Sequence, residues 1–180
     1  MSNHLHIEPA TERDVPVILS MIRALAEYER LSHEVSTSEA GLRNALFGAT
    51  RSAEVLLGYV DADADAQAVA LAVFFHNFST FLGKPGLYLE DLFVRPEWRG
   101  RGFGRQMLTH LARIAVDRGC GRMEWSVLDW NEQAIGFYRR LGATALDNWT
   151  VHRVTGDALR ALAERQNPGP GTQGSGLGAV

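Results

Sequence analysis

Gly100, Gly102 and Gly104 alternate with Arg101 and Phe103, and Arg99 and Arg105 flank them, so one loop combines positions lacking a Cβ with several guanidinium groups. Glycine lets a backbone come close to a ligand. N–H groups that open a helix point one way and carry the positive end of its dipole, which suits a pyrophosphate. The arginines can add charge-assisted hydrogen bonds. The segment reads Tyr88-Leu-Glu-Asp-Leu-Phe-Val-Arg-Pro-Glu-Trp-Arg-Gly-Arg-Gly-Phe-Gly-Arg105, a strand pattern leading through the loop into a helix pattern. Spacing excludes two other phosphate loops. A mononucleotide P-loop ends in Gly-Lys-Ser/Thr, and a dinucleotide fingerprint is Gly-x-Gly-x-x-Gly; here Gly104 precedes Arg105-Gln106 and the pattern is Gly-x-Gly-x-Gly. Glycines alone would equally make a flexible turn with solvated arginines, but the strand before and the helix after favour phosphate binding.

Other constellations fail. Asp61, Asp63 and Asp65 imitate the start of a calcium loop, but Ala66 stands where glycine is needed and Ala72 where the closing glutamate is needed. His4, His6, His33, His76, His110 and His152 show no zinc spacing. Cys120 can in principle accept an acyl group, although a small residue at a strand edge is the simpler reading. As the one cysteine it forms no internal disulfide, which fits a reducing cytoplasm. The N-terminus lacks the basic and apolar regions of a signal peptide. The apolar run Ala68 to Phe75 is far shorter than the ~20 residues that span a bilayer. At 180 residues, 46% hydrophobic and 22% charged, the chain matches one globular domain, and a net charge of -3 without a basic stripe argues against a nucleic-acid partner.

The elements that must carry the loop follow from periodicity. Leu5 to Ile7 reads as a strand. Thr11 and Asp14 suit a helix start, and Val15, Ile18, Leu19, Ile22, Leu25 and Ala26 recur at helical spacing as far as Tyr28 and Glu29. A shorter helix is expected over Ser38 to Phe47. Val55 to Val60 and Ala68 to Phe75 are apolar runs joined by a polar hairpin, and Leu87 to Val94 is a further strand. A helix follows over Gly104 to Arg118, stopped by Gly119. Arg122 to Leu128 reads as a strand, Glu132 to Leu141 as a helix, Thr144 to Val154 as one or two closing strands, and Asp157 to Arg165 as a last helix. The Gly/Pro-rich end offers little apolar surface to offset ordering entropy.

At this point the chain resembles a family. Arg99-Gly-Arg-Gly-Phe-Gly104 fits the Arg/Gln-x-x-Gly-x-Gly/Ala motif of the GNAT acetyltransferase superfamily, and Asp129-Trp-Asn-Glu-Gln-Ala-Ile-Gly-Phe-Tyr-Arg-Arg-Leu-Gly-Ala143 is similar to its Asn…Phe-Tyr…Leu-Gly segment. Leu25-Ala-Glu-Tyr-Glu29, Gly83-Lys84, Leu87-Tyr-Leu-Glu-Asp91 and Leu128-Asp-Trp-Asn131 look like the branch of spermidine/spermine and thialysine acetyltransferases. The resemblance implies an α/β fold: a single domain over residues 1–166 with a mixed, mostly antiparallel sheet, splayed at the cofactor site and flanked by helices. A flexible tail is expected over 167–180. It also implies acetyl-CoA as cosubstrate, no metal, and a homodimer.

Position by position, the resemblance puts Leu92, Phe93 and Val94 along the pantetheine arm. It puts Arg99, Gly100, Arg101, Gly102, Phe103, Gly104 and Arg105 around the pyrophosphate, and Asn131, Ala134 and Tyr138 also at the cofactor. Asn131 before Glu132 equally suits a helix N-cap. Tyr138 falls on the family's general acid, where a phenol can protonate the departing sulfur. Glu90 is the candidate base: an alkyl ammonium titrates near ~10.4, so a proton must leave before the amine attacks. In a regular strand Glu90 and Asp91 face opposite sides, and only a bulge would bring both to one pocket. Tyr28, Glu29 and Glu124 are implied in the acceptor site. The expected activity is direct acetyl transfer to the primary amine of a small molecule, a thialysine-like amino acid or a polyamine. A catalytically silent acyl-CoA-binding module and a protein N-acetyltransferase are the rival readings.

Overall fold

The computed structural model describes residues 5–60 and 67–164. One five-stranded sheet, in the order β1-β2-β3-β4-β5, organises the chain up to Trp130. Its strands are β1 (His6–Pro9), β2 (Glu54–Val60), β3 (Gln67–Ser79), β4 (Lys84–Val94) and β5 (Arg122–Trp125). The first four pair antiparallel, and β5 joins β4 in parallel after the crossover helix α3 (Phe103–Asp117). The fold is therefore mixed α/β, as expected.

Helix α1 (Val15–Tyr28) starts where the Asp14 carboxylate accepts hydrogen bonds from the Thr11 N–H, at 2.7 Å, and from the Thr11 hydroxyl, at 2.8 Å. Ser38 caps α2 (Glu39–Phe47) by accepting from the Gly41 N–H at 3.2 Å. Ile18, Met21 and Leu25 of α1 pack with Val55, Leu57, Leu71, Val73 and Phe93 on one face of the sheet. The alternate strand residues, among them Leu56, Ala70, Ala72, Phe74, Leu87 and Leu89, are also buried, and α3 packs its Phe103, Met107 and Leu111 face against β3, β4 and β5. This two-sided burial explains why β2 and β3 read as unbroken apolar runs.

Three boundaries differ from expectation. β3 and β4 form a longer hairpin than their apolar runs suggested, because backbone pairing continues through the polar residues as far as Ser79↔Lys84. β5 stops at Trp125 rather than Leu128, where its ladder with β4 ends. The closing strands expected over Thr144 to Val154 are not formed: these residues are exposed and no ladder partner holds them extended. From Asn131 the chain forms a second compact unit with α4 (Glu132–Arg140) and α5 (Gly156–Glu164). The tail expected over 167–180 and the acidic connection 61–66 lie outside the described residues.

Candidate active site

The β4–β5 ladder runs from Gly86↔Arg122 to Leu89↔Trp125, and β4 then continues alone on that side to Val94. Leu92, Phe93 and Val94 therefore lie on the stretch of β4 that has left its parallel neighbour, the opening expected of a splayed sheet. The Phe93 side chain is buried in the α1-side core, so a ligand in the opening would meet the backbone of this stretch.

Beyond Val94 the chain passes a 3-10 turn, Pro96–Trp98, and reaches the glycine loop. Gly100 and Gly102 have φ of 75° and 81°, the left-handed region that side chains rarely adopt. Gly102 is the N-cap of α3, and the first intrahelical bond is Gln106 N–H to Gly102 C=O at 3.1 Å. The N–H groups of Phe103, Gly104 and Arg105 thus precede the helical ladder and are the ones available to an anion. The Phe103 side chain points into the core, so its part is confined to backbone.

Two of the three arginines have partners within the protein. Arg99 donates from Nε to the Val94 carbonyl at 3.0 Å, and its guanidinium lies 4.3 Å above the Tyr28 ring and 5.8 Å from that of Phe93. Arg101 lies 4.5 Å over Trp98, whose ring stacks at 6.2 Å on Phe103. Arg99 thus meets rings of α1 and β4, and Arg101 meets a ring of the turn before the loop. Arg105 is exposed in the first turn of α3.

Helix α1 carries Tyr28, one of the residues expected at the acceptor site, at its C-terminal end. It ends at Tyr28 with Glu29 as C-cap, and Arg30 turns the chain at φ 62°. The Tyr28 ring has Trp130 at 6.1 Å, and Arg30 lies 5.9 Å over Trp130. The bulge that would reconcile Glu90 with Asp91 is present. Val73 pairs with Asp91 and Phe74 with Leu89, which leaves Glu90 as the extra residue of β4. Leu89 and Asp91 consequently face opposite sides of the sheet, and Asp91 joins the α1 side with Val73 and Phe93.

There Asp91 is largely buried, and desolvation, then the charges of Glu90 and Glu29, push its carboxyl up to about 6. Burial also pushes Glu29 up. Three carboxylates thus share one electrostatic neighbourhood at the C-terminal, negative end of α1. Such a cluster is costly when empty and suits a cation. Sequence reasoning selected Glu90 and Glu29 but missed Asp91 and Trp130.

The sign of the Asp91 shift makes a prediction. A folded-state value above the ordinary 3.8 means that stability is lost as pH rises from about 4 through about 6. Asp91→Asn removes the buried charge. It should therefore stabilise the protein by about 1–3 kcal/mol at about pH 8 and by almost nothing at about pH 4. Thermal unfolding at the two pH values checks this, and an equal shift at both would mean that charge is not the cause.

Glu124 sits elsewhere on the same sheet face. Asn77 Nδ2 donates to its Oε2 at 3.0 Å, and Arg122 Nε lies 2.8 Å from the same oxygen. In the second unit Asn131 is the N-cap of α4, its side chain accepting from the Ala134 N–H at 3.2 Å, so the capping role is observed. Tyr138 lies on α4 with its ring 5.3 Å from Phe137.

Comparison with known proteins agrees with this architecture. The Acetyltransferase (GNAT) family profile matches residues 19–143. A thialysine N-epsilon-acetyltransferase of Bos taurus is 39% identical over 164 residues, covering 87% of this chain and 96% of the relative. An L-ornithine N5-acetyltransferase of Arabidopsis thaliana is 35% identical, covering 87% of this chain and 86% of the relative. Among solved structures, an integron cassette protein from V. cholerae superposes with a TM-score of 0.74 at 26% identity, covering 89% of this chain and 98% of that one. On the glycine loop, the open end of β4 and this similarity across most of its length, the chain belongs to the GNAT family and is an N-acetyltransferase.

Proposed function

We propose that this enzyme transfers acetyl from acetyl-CoA directly to the primary amine of a small amino acid of the thialysine or ornithine type. The observation that carries the reading is the cluster of Glu29, Glu90 and Asp91 beside Tyr28, on the strand that leads into the glycine loop. The cosubstrate supplies the acetyl group as a thioester. Its pyrophosphate fits the N–H groups of Phe103, Gly104 and Arg105, which two left-handed glycines leave uncovered. Leu92, Phe93 and Val94 would pair through backbone with its arm, and the family resemblance adds Asn131 and Ala134 to the residues expected to contact it. The Ala134 N–H is already given to Asn131, so other atoms of these residues must serve.

Asp91 and Glu29 draw in the ammonium group, and the ring faces of Tyr28 and Trp130 favour the same cation. Glu90, exposed at the bulge, takes the proton, directly or through water, so that a free amine attacks. Asp91, whose carboxyl is pushed up to about 6, can share that proton. Tyr138 would give a proton to the departing sulfur. No covalent enzyme intermediate is required. The branch resemblance extends the proposal to a cytoplasmic homodimer.

A panel of amines assayed for CoA release tests the reading. Thialysine should show a higher kcat/KM than spermidine, because two of the acidic positions, Glu29 and Asp91, are confined to one end of the site. A clear preference for spermidine would overturn the amino-acid assignment, and no turnover of any amine would overturn the enzyme mechanism.

A further inference from the structure

A second polar cluster shares the sheet face of Asp91. Across β3, β4 and β5 the rows read Val73–Asp91, then Phe75–Tyr88–Glu124, then Asn77–Gly86–Arg122. Residues two apart on a strand share a face, so Arg122, Glu124, Tyr88 and Asp91 point the same way. Glu124 lies two rows from Asp91 along β3 and one strand over, or about 7 Å by about 5 Å. Arg122 is a further two rows away, but its long side chain turns back to put Nε 2.8 Å from Glu124 Oε2.

The pair is built rather than incidental. Asn77 is half-buried and donates to Glu124, while its own Oδ1 is buried without a hydrogen-bond partner. That oxygen sits directly over Gly86: a Cβ there would come within 2.3 Å of it and within 3.1 Å of Arg122 Cγ. An asparagine that leaves a buried oxygen unsatisfied in order to direct its amide at Glu124 costs stability. Among the described residues nothing occupies Arg122 Nη1 and Nη2 or Glu124 Oε1. Lys84, a further cation on this face, is two rows beyond Gly86 with its stem over Gly121.

A fixed guanidinium beside a fixed carboxylate is complementary to a carboxylate beside an ammonium. The two charges of the pair also cancel, which suits a zwitterionic head and not the second cation of a diamine. We propose that Arg122 and Glu124, held in place by Asn77, form the head-group site for the α-carboxylate and α-ammonium of the acceptor, whose ω-amine lies at Asp91 and Glu90. Arg122 takes the carboxylate through its two terminal nitrogens, and Glu124 Oε1 takes the α-ammonium. This deepens the proposed function and rests on it.

The test compares thialysine with bis(2-aminoethyl) sulfide, which is thialysine without its carboxylate. Arg122→Gln should lower the ratio of their kcat/KM values about tenfold or more. The loss for thialysine should fall in KM, and kcat/KM for the diamine should rise as Glu124 loses its counter-charge. An unchanged ratio in a folded variant that still binds CoA, or a parallel loss on both substrates, overturns the head-group site. If Arg122→Gln does not fold, Arg122→Lys and Glu124→Gln replace it. The lysine variant should lower the same ratio, and Glu124→Gln should weaken thialysine relative to 3-[(2-aminoethyl)thio]propanoate, which lacks the α-amine; no change in either overturns the site. A wild type that acetylates neither member of the first pair would instead overturn the amine-acetyltransferase reading, and the head-group site with it.

Discussion

Gly102→Val should weaken CoA binding about 100-fold or more while leaving a folded protein, because a side chain would stand where the anion must approach. Gly102 has φ 81° at the N-cap of α3, and beyond its two chain neighbours a Cβ built there meets nothing within 4 Å. No clash therefore opposes the substitution. Its cost is conformational, about 1–2 kcal/mol for an L-residue in the left-handed region and more for a β-branched one. Phe103, Met107, Leu108, Leu111 and Ala115 keep α3 anchored against that cost. Calorimetry should show the loss as weaker affinity, with far-UV circular dichroism unchanged. Gly102→Ala, with less bulk, should show a smaller loss. Wild-type affinity in a folded valine variant would remove the pyrophosphate from this loop.

Tyr138→Phe should lower kcat about 100-fold or more and leave acetyl-CoA affinity near that of the wild type. Only the hydroxyl is removed, and the ring that packs at 5.3 Å from Phe137 stays. Expelling an alkyl thiolate beside a new amide is the step that gains most from a positioned acid. Loss of that acid should therefore appear at saturating concentrations of both substrates rather than in KM. Single-turnover measurements separate this from slowed product release. Turnover within a few-fold of wild type across the pH range would exclude Tyr138 as the proton donor.

The local chemistry of this protein was legible in its sequence. The glycine loop before α3, the helix-start residues Thr11 and Asp14, the N-cap Asn131 and the apolar runs of β2 and β3 all appear where residue type and short-range spacing placed them. Caps, turns and amphipathic faces are decided within a few residues, so the chain specifies them before it folds. Closing strands over Thr144 to Val154 were not decided that way, because a strand is stable only against a partner edge.

The site shows the same division. Glu90 and Asp91 alternate in sequence, and only the register of β4 against β3 inserts the bulge that turns Asp91 onto the α1 side with Glu29. Arg99 reads as a phosphate ligand beside Gly100, yet it stacks on Tyr28, 71 positions earlier in the sequence. Asn77 and Arg122 carry no motif, and Glu124 was reached only through the family resemblance, because what joins the three is the pairing of β3, β4 and β5. The sequence by itself determined where the glycine loop, its arginines and the adjacent carboxylates stand along the chain, since those depend on residue type and near neighbours. The tertiary structure alone decided which carboxylate is buried, which arginines are already engaged and which charges stand opposed, because burial and Coulomb energy depend on distances through space that spacing along the chain does not set.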